Sequence, residues 1–218
     1  MPDTPPPAPP RSLPDAEPDA AHDIADHLDH FFRTVLGPDD SLRTRACFRY
    51  ITGEPHPFGN FAIFARDADS ADIAREGKPL VDCGLPAGIA FLNGGTPEQL
   101  DAVGGLGFVH GESMPVMSVT PGSLAETTLP DGYTFRQTGA DEADAWARAV
   151  SDGYGLPLAV GSLFGADRAE SRAPGKARFY AAEHKGQLVA TSLLYLHDGL
   201  AGIYGVATLP EHRGKGLG

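Results

Sequence analysis

The sequence has few cysteines, few positive charges and no long apolar run, and each shortage excludes a class of protein. Only Cys47 and Cys83 carry thiols, and neither has metal-type ligands beside it in the sequence. A disulfide framework or a zinc site would need several cysteines or histidines at short spacings. We therefore expect a reduced, cytoplasmic protein that holds no metal.

The charge balance is acidic, with 17 Lys and Arg against 29 Asp and Glu and a net charge of −12. A nucleic-acid partner would need a basic surface for its phosphates. No stretch approaches the roughly eighteen apolar residues of a membrane span. The N-terminus also lacks the apolar core of a secretory signal. We therefore expect neither a nucleic-acid partner nor a membrane.

Proline is concentrated at the N-terminus, where it opposes both helix and sheet. The prolines of this segment are Pro2, Pro5, Pro6, Pro7, Pro9, Pro10, Pro14 and Pro18. Because the remaining residues are mostly Asp and Ala, little apolar surface is available for burial. We predict that residues 1–20 form a disordered tail.

A helical period of apolar residues begins after this tail and predicts an amphipathic helix that ends near residues 37–38. Its apolar positions are Ile24, Leu28, Phe31, Phe32 and Val35. His22, His27 and His30 accompany the helix but lack the i, i+4 spacing of a helical metal site. We expect them to be solvated histidines on the helix surface.

An α/β pattern follows and predicts an N-terminal α/β domain over residues 21–122. Short β-type runs occupy residues 46–52, 60–66, 88–92, 105–109 and 114–119. Thr96 and Pro97 supply a helix cap and a helix-start proline, so a short helix is expected through Val103. Pro and Gly then mark residues 120–131 as a linker.

A second domain is predicted over residues 131–218. Asp141 is placed to cap a helix whose apolar face includes Trp146 and Val150. Residues 153–175 are expected to be flexible. The β runs, which read as one strand followed by a three-stranded antiparallel meander, lie at residues 133–137, 177–183, 188–196 and 200–208.

The last strand leads into the most informative segment of the chain, V-A-T-L-P-E-H-R-G-K-G-L-G at residues 206–218. Gly214, Gly216 and Gly218 remove the Cβ atoms that would keep backbone N–H groups away from a phosphate. Arg213 and Lys215 add positive charge. The pattern predicts an anion cradle whose ligand carries a pyrophosphate.

This segment resembles the acetyl-CoA motif of the GNAT-type N-acetyltransferase family, Q/R-x-x-G-x-G/A directly after the fourth strand. Arg213, Gly216 and Gly218 occupy its fixed positions, and the order of elements over residues 131–218 matches the first half of the family fold. The resemblance implies an α/β (α+β) protein with a mixed, largely antiparallel sheet flanked by helices. It also implies acetyl-CoA as acyl donor and an amine-bearing small molecule or protein as acceptor, the chemistry of an acyltransferase of class EC 2.3.1.

The resemblance also assigns roles to residues. The strand end would hydrogen-bond the acetyl carbonyl and the pantetheine arm, and the glycine loop would hold the pyrophosphate. The cofactor-binding residues expected on this basis are Val206, Ala207, Thr208, Arg213, Gly214, Lys215, Gly216, Leu217 and Gly218. The catalytic residues stay unknown: Glu183 and Glu211 are the acids considered as base, and Tyr204 is interpreted as a packing or cleft-lining residue.

The resemblance further implies a partial chain. Because the sequence stops inside the cofactor loop, the C-terminal half of the family fold would be missing, and we expect a truncated, inactive fragment. In the N-terminal domain, Leu106, Gly107 and Phe108 after a short helix are similar to the closing half of the fold. This suggests a degenerate, cofactor-free copy, with an unrelated α/β module as the alternative.

Two other functions remain open at this point. The chain could be a non-catalytic sensor or interaction module that binds acyl-CoA without turnover. It could also be a purely structural α/β protein in which the glycine run is a turn. Only the first of these predicts affinity for CoA.

Overall fold

A computed structural model describes residues 18–92, 94–111, 113–114, 116–124 and 126–217. These residues form two four-stranded sheets with flanking helices, which confirms the predicted α/β class. The first helix, α1 (Pro18–Thr34), begins with a proline, a residue favoured at the first helical position. The tail prediction is therefore wrong for residues 18–20, and residues 1–17 lie outside the described part of the chain.

The first sheet has the strand order β1-β2-β3-β4, antiparallel except for the parallel pair β3 and β4. Its strands are β1 (Leu42–Arg43), β2 (Cys47–Ile51), β3 (Asn60–Phe64) and β4 (Gly88–Phe91). The helix α2 (Ser70–Asp82) connects the parallel strands, and α3 (Pro97–Gly105) follows them. The predicted strands at β2, β3 and β4 and the helix start at Thr96 are confirmed, the latter by a capping box between Thr96 and Gln99.

Other predictions for this region were wrong. Residues 105–109 do not form a strand, because Gly105 ends α3 and Gly107 turns the chain with a φ of +91°. None of the described residues of 114–119 lies in a strand, and Met117 is 85% exposed. Helix α2 was not predicted at all, although Asp69 caps its first turn by accepting a hydrogen bond from the N–H of Asp72. Gly77 and Pro79 inside this helix are residues that disfavour helices, and they make its apolar period hard to recognise in the sequence.

The second sheet is antiparallel throughout, with the order β5-β6-β7-β8, and confirms the predicted meander. Its strands are β5 (Tyr133–Thr138), β6 (Ala177–His184), β7 (Gln187–His197) and β8 (Leu200–Thr208). Helix α4 (Ala143–Tyr154) follows a short 3-10 turn that contains Asp141, so Asp141 does not cap it. The segment predicted to be flexible contains α5 (Leu158–Gly161) and α6 (Ala166–Arg172), which bury small residues that give no strong apolar period.

Helix α1 packs on the second sheet. Phe31 and Val35 join Trp146, Leu193 and Tyr195 in one fully buried cluster. Arg172 of α6 donates to the carbonyl oxygens at the end of α1, including that of Gly37 at 2.7 Å. The N-terminal helix therefore contributes to the core around α4 and β7. The domain boundaries near residues 21, 122 and 131 stay predictions.

A second cluster joins the first sheet to the segment after α4. Phe48, Tyr50 and Ile63 of the first sheet pack against Val160 and Leu163. No helix within the described residues has both the length and the apolar composition to cross a membrane.

Candidate functional site

The end of β8 has an open side. Within the part of the chain that the structure describes, β8 pairs only with β7. The N–H of Leu209 donates to the carbonyl oxygen of Val189 at 2.9 Å. Because main-chain groups alternate in direction along an antiparallel strand, Val206 and Thr208 direct theirs to the unpaired side. The carbonyl oxygens of both residues already accept hydrogen bonds, that of Val206 from the Tyr154 hydroxyl and that of Thr208 from Nε of Arg213, so the N–H of Val206 is the group left for a ligand that lies along the strand.

A β-bulge shapes this open edge. The register between β7 and β8 shifts between Thr191 and Leu193, and Gly205 has a φ of +56°. A Cβ on Gly205 would lie 2.8 Å from the Trp146 ring, so glycine is required by both backbone and packing. The hydroxyl of Thr191 donates to the carbonyl oxygen of Gly205 at 2.8 Å. The bulge bends β8 locally, and its pairing with β7 resumes at Ala207 and Thr208.

The glycine loop that follows is open on its backbone side. Gly214 and Gly216 have φ values of +70° and +75°, and no atom lies within 4 Å of a Cβ built on either. Among the described residues none accepts a hydrogen bond from the N–H groups of Gly214, Lys215 or Gly216. Left-handed residues on either side of Lys215 make a backbone concavity of the kind that binds anions. Gly218 lies outside the described residues.

The side chain of Arg213, although exposed, is hydrogen-bonded to two carbonyl oxygens beside the loop. Its Nη2 donates to the carbonyl oxygen of Gly153 at 2.6 Å, and its Nε donates to that of Thr208 at 3.2 Å. Gly153 is needed here, because a Cβ would lie 2.8 Å from the Cβ of Ala207. The end of α4, the end of β8 and the loop are thus fastened to each other by one guanidinium.

Lys215 is also fastened at its tip. Its Nζ donates to the Tyr133 hydroxyl at 3.1 Å and to the carbonyl oxygen of Glu211 at 3.0 Å. Leu217 packs against a small buried cluster around Val189 and Leu209. Both cations of the loop are thus hydrogen-bonded at their tips although both residues are exposed, and the N–H groups of Gly214, Lys215 and Gly216 have no acceptor among the described residues.

Sequence reasoning did not single out Tyr154 or Tyr133, although both contact the site. The Tyr154 hydroxyl donates to the carbonyl oxygen of Val206 at 2.7 Å, and partial burial raises the pKa of this phenol, which keeps it protonated. The only available signal for Tyr154 was its position between two glycines at a helix end. Tyr133 begins a strand, and no local pattern connects it to a loop eighty residues later.

The acids considered as base occupy different surroundings. Glu183 accepts hydrogen bonds from Nη2 of Arg136 at 2.6 Å and shares that guanidinium with Glu142. It lies on β6, two strands away from the open edge of β8. Glu211 is exposed in the short turn before the loop. The structure thus brings neither carboxylate to the exposed groups of Val206.

The interpretation of Tyr204 as a packing residue agrees with its position. Its ring stacks on Phe31 at a centroid distance of 3.7 Å, and its hydroxyl lies 2.9 Å from Nδ1 of His27. Burial raises the pKa of Tyr204. The side chain faces α1 rather than the open edge.

The expectation of solvated histidines was wrong for His27, which is 5% exposed, while the side chain of His22 lies outside the described residues. His30 stacks on His197 at 3.5 Å and lies 2.9 Å from the Tyr195 hydroxyl. Burial lowers the pKa of both His27 and His30. No group of three or more His, Cys, Asp or Glu in the described part of the chain is arranged to hold a metal.

Comparisons with known proteins bear on this region. Residues 146–218 match the sequence model of a family described as acetyltransferase (GNAT) family. No curated protein sequence matches the chain. The structure is similar to a GCN5-related N-acetyltransferase from Kribbella flavida, with a TM-score of 0.51 and 19% identity over 90% of this chain and 76% of that one. At that identity the likeness shows the fold alone.

Two further solved structures match only in part. A putative acetyltransferase from Pyrococcus horikoshii has a TM-score of 0.34 and 17% identity, over 41% of this chain and 32% of that one. A predicted acetyltransferase with acetyl-CoA from Clostridium acetobutylicum has a TM-score of 0.31 and 16% identity, over 38% of this chain and 64% of that one.

Proposed function

Because residues 146–218 match the sequence model of the acetyltransferase (GNAT) family, we propose that this chain binds acetyl-CoA and serves transfer of the acetyl group to an amine. The acceptor in this proposal is an amine-bearing small molecule or a protein amine. The observation that carries it is the unpartnered backbone of the loop after β8. The cofactor-binding residues proposed are Val206, Ala207, Thr208, Arg213, Gly214, Lys215, Gly216, Leu217 and Gly218.

The loop would bind the diphosphate of CoA through its main chain. Gly214 and Gly216 expose the N–H groups on either side of Lys215, and an anion can approach them without meeting a side chain. Arg213 and Lys215 would contribute long-range electrostatic attraction, and the main chain would be the principal ligand of the phosphates.

The open edge of β8 would hold the acyl end. The N–H and C=O of Val206 point to the unpaired side, where an N–H can stabilise negative charge that develops on the thioester carbonyl oxygen. In the transfer, the amine nitrogen bonds to the carbonyl carbon and loses a proton, while the carbon–sulfur bond breaks and the thiolate takes up a proton. The Tyr154 hydroxyl lies beside this position on the carbonyl of Val206.

The test is a calorimetric titration of the chain with CoA, compared with the variant Gly216→Val. A β-branched residue at a φ of +75° is strained and places methyl groups over the exposed amides. We expect wild-type binding and at least tenfold weaker binding by the variant. The matched control is Gly175→Val, because Gly175 has a φ of +69° and equally open space but lies before β6.

The outcomes separate the candidate functions. Absence of CoA binding by the wild type, or equal losses in both valine variants, would contradict the proposal. Binding together with thiol release from acetyl-CoA in the presence of amines supports the enzyme. Binding without thiol release over a broad panel of amines supports the non-catalytic acyl-CoA-binding module instead.

A further inference from the structure

Tyr133 belongs to a chain of hydrogen bonds that reaches the centre of the glycine loop. Its hydroxyl oxygen is 3.1 Å from Nζ of Lys215 and 2.8 Å from Nδ1 of His212. Lys215 also donates to the carbonyl oxygen of Glu211. Strand β5, the turn after β8 and the centre of the loop therefore meet at one phenol.

The direction of these hydrogen bonds follows from what each group can donate. A lysine ammonium has only donors, so the Tyr133 oxygen must accept from Lys215. The single hydrogen of the phenol is then free to be donated to Nδ1 of His212, which accepts when the imidazole is neutral and carries its hydrogen on Nε2. The chain runs from Lys215 through Tyr133 to His212, and each member has a defined role.

Tyr133 and His212 are both held in place by packing and hydrogen bonds. His212 is 8% exposed, and its N–H donates to the carbonyl oxygen of Leu209 at 2.9 Å. The Tyr133 ring stacks on His184 at a centroid distance of 4.6 Å and packs on the cluster that contains Leu209. The phenol thus offers a rigid attachment point to an exposed and otherwise glycine-rich segment.

The loop needs such an attachment because of its composition. Gly214 and Gly216 flank Lys215, and glycine loses more conformational freedom on ordering than any other residue. Neither glycine has an atom within 4 Å of a built Cβ, so packing does not order the backbone there. The tip of Lys215 is the contact that ties the centre of the loop to the sheet.

We propose that Tyr133 is a positioning residue that orders the glycine loop for a diphosphate before the ligand arrives. This inference rests on the proposed function of the loop. A backbone already held in its binding shape loses less entropy when CoA binds. Tyr133 would therefore strengthen CoA binding without contacting CoA.

The test is the variant Tyr133→Phe, which keeps the ring stack and the packing and removes only the hydroxyl. Calorimetry with CoA should show about fivefold to tenfold weaker binding, the loss of one net hydrogen bond. Amide hydrogen exchange of residues 213–217 without ligand should become faster, with no change in β6 and β7. The matched control is Tyr180→Phe, a β6 tyrosine whose ring stacks on Phe135 at 5.3 Å.

A double-mutant cycle with Lys215→Met distinguishes positioning from a general effect on stability. If Tyr133 acts through Lys215, then Tyr133→Phe should weaken binding less than twofold when Lys215 is already Met. Equal losses in the two backgrounds would overturn the inference, as would unchanged CoA affinity and unchanged loop exchange in Tyr133→Phe. Should Tyr133→Phe fail to fold, faster loop exchange in Lys215→Met alone carries the test, since Lys215 is exposed.

This inference and the proposed function fail in different ways. If the wild-type chain does not bind CoA, the function is wrong, whatever the variants do. If the wild type binds and Tyr133→Phe binds equally well, only the role of Tyr133 is wrong.

Discussion

Each sheet has a strand that leads into a loop, and the two loops differ in how their backbone groups are hydrogen-bonded. Strand β3 leads through residues 65–69 into α2, whereas β8 leads into residues 209–217. In the first loop, the buried Gln99 amide donates to the carbonyl oxygens of Arg66 and Ala68. Asp69 accepts from the first turn of α2. Side chains thus bind two carbonyl oxygens of that loop and the N–H of Asp72, and the carboxylates of Asp67 and Asp69 disfavour an anion there.

In the second loop, the N–H groups of Gly214, Lys215 and Gly216 have no acceptor among the described residues. Its cations, Arg213 and Lys215, donate to carbonyl oxygens and a phenol. The two strand ends differ in pairing as well as in their loops, because β3 lies between β2 and β4, whereas β8 pairs only with β7 among the described residues. We infer that the unpaired edge of β8 and the open loop after it together favour the second sheet as the proposed CoA site.

The largest effect on CoA affinity is expected when a carboxylate is placed in the second loop, since the first loop already carries carboxylates. The substitution Lys215→Asp reverses a charge beside the proposed diphosphate and removes the contact with Tyr133. We expect about a hundredfold weaker CoA binding in a calorimetric titration. Arg66→Asp makes the same charge change in the first loop and should leave CoA affinity within twofold. Similar losses in both variants would show that net charge alone controls binding.

Removing the Gln99 side chain that binds the first loop should lower the free energy of unfolding without changing the affinity for CoA. In Gln99→Ala, the carbonyl oxygens of Arg66 and Ala68 lose their donor, and the capping box of α3 is broken. We expect a loss of about 2 kcal/mol in the free energy of unfolding, measured by urea denaturation. Gln137→Ala, at an exposed position of β5, should cost less than about 0.5 kcal/mol. A change in CoA affinity in Gln99→Ala would mean that the first loop takes part in binding.

The two sheets should also differ in their response to pH, because the buried histidines lie between α1 and the second sheet. The pKa of His27 is lowered by burial, so the unfolded chain binds the proton more readily. Stability should therefore be full above the unfolded-state pKa of about 6.5 and fall as the pH drops through that value. Urea denaturation at pH 7.5 and 5.5 should show a smaller difference in His27→Gln than in the wild type.

The pKa of His30 is lowered as well. Burial is the main cause, the charges of His197 and Lys176 add to it, and the charge of Asp198 opposes it. His27 faces Tyr195, His197, Asp198 and Tyr204. The exposed His110 provides the control, because His110→Gln should leave the pH dependence as in the wild type. An unchanged pH dependence in His27→Gln would contradict the account of this interface.

The smallest effect is expected at the open edge of β8. The Tyr154 hydroxyl occupies the carbonyl oxygen of Val206, an acceptor that a ligand along β8 could use. Tyr154→Phe should therefore bind CoA about twofold to fivefold more tightly, as one competing hydrogen bond is removed. Tyr180→Phe serves as the control. Weaker binding in Tyr154→Phe would show that the hydroxyl contacts the ligand instead of competing with it.

Much of the second sheet could be predicted from the sequence, because its strands are long, rich in β-branched and aromatic residues and separated by short Gly-containing turns. The hairpin at Lys185 and Gly186 is an example, with both residues at positive φ. The glycine loop could also be predicted, since Gly214 and Gly216 have conformations that other residues rarely adopt.

The contacts of the loop could not be predicted, because they join residues far apart in the chain. Arg213 reaches Gly153 and Lys215 reaches Tyr133, and no local pattern records such pairs. For the same reason the sequence placed His27 on a helix surface, when packing on β8 buries it. Helix α2 was missed because Pro79 is tolerated in its last turn, where tertiary packing of Leu80 offsets the cost.

The most direct test of the central claim is to map which backbone amides respond to CoA in the wild-type chain, by NMR shifts or by hydrogen exchange. We predict that the amides of residues 213–217 respond, together with those of Val206 and Thr208, while the amides of residues 65–72 do not. A response confined to residues 65–72, or bound CoA with no response in residues 213–217, would contradict the claim that the open glycine backbone is the binding site.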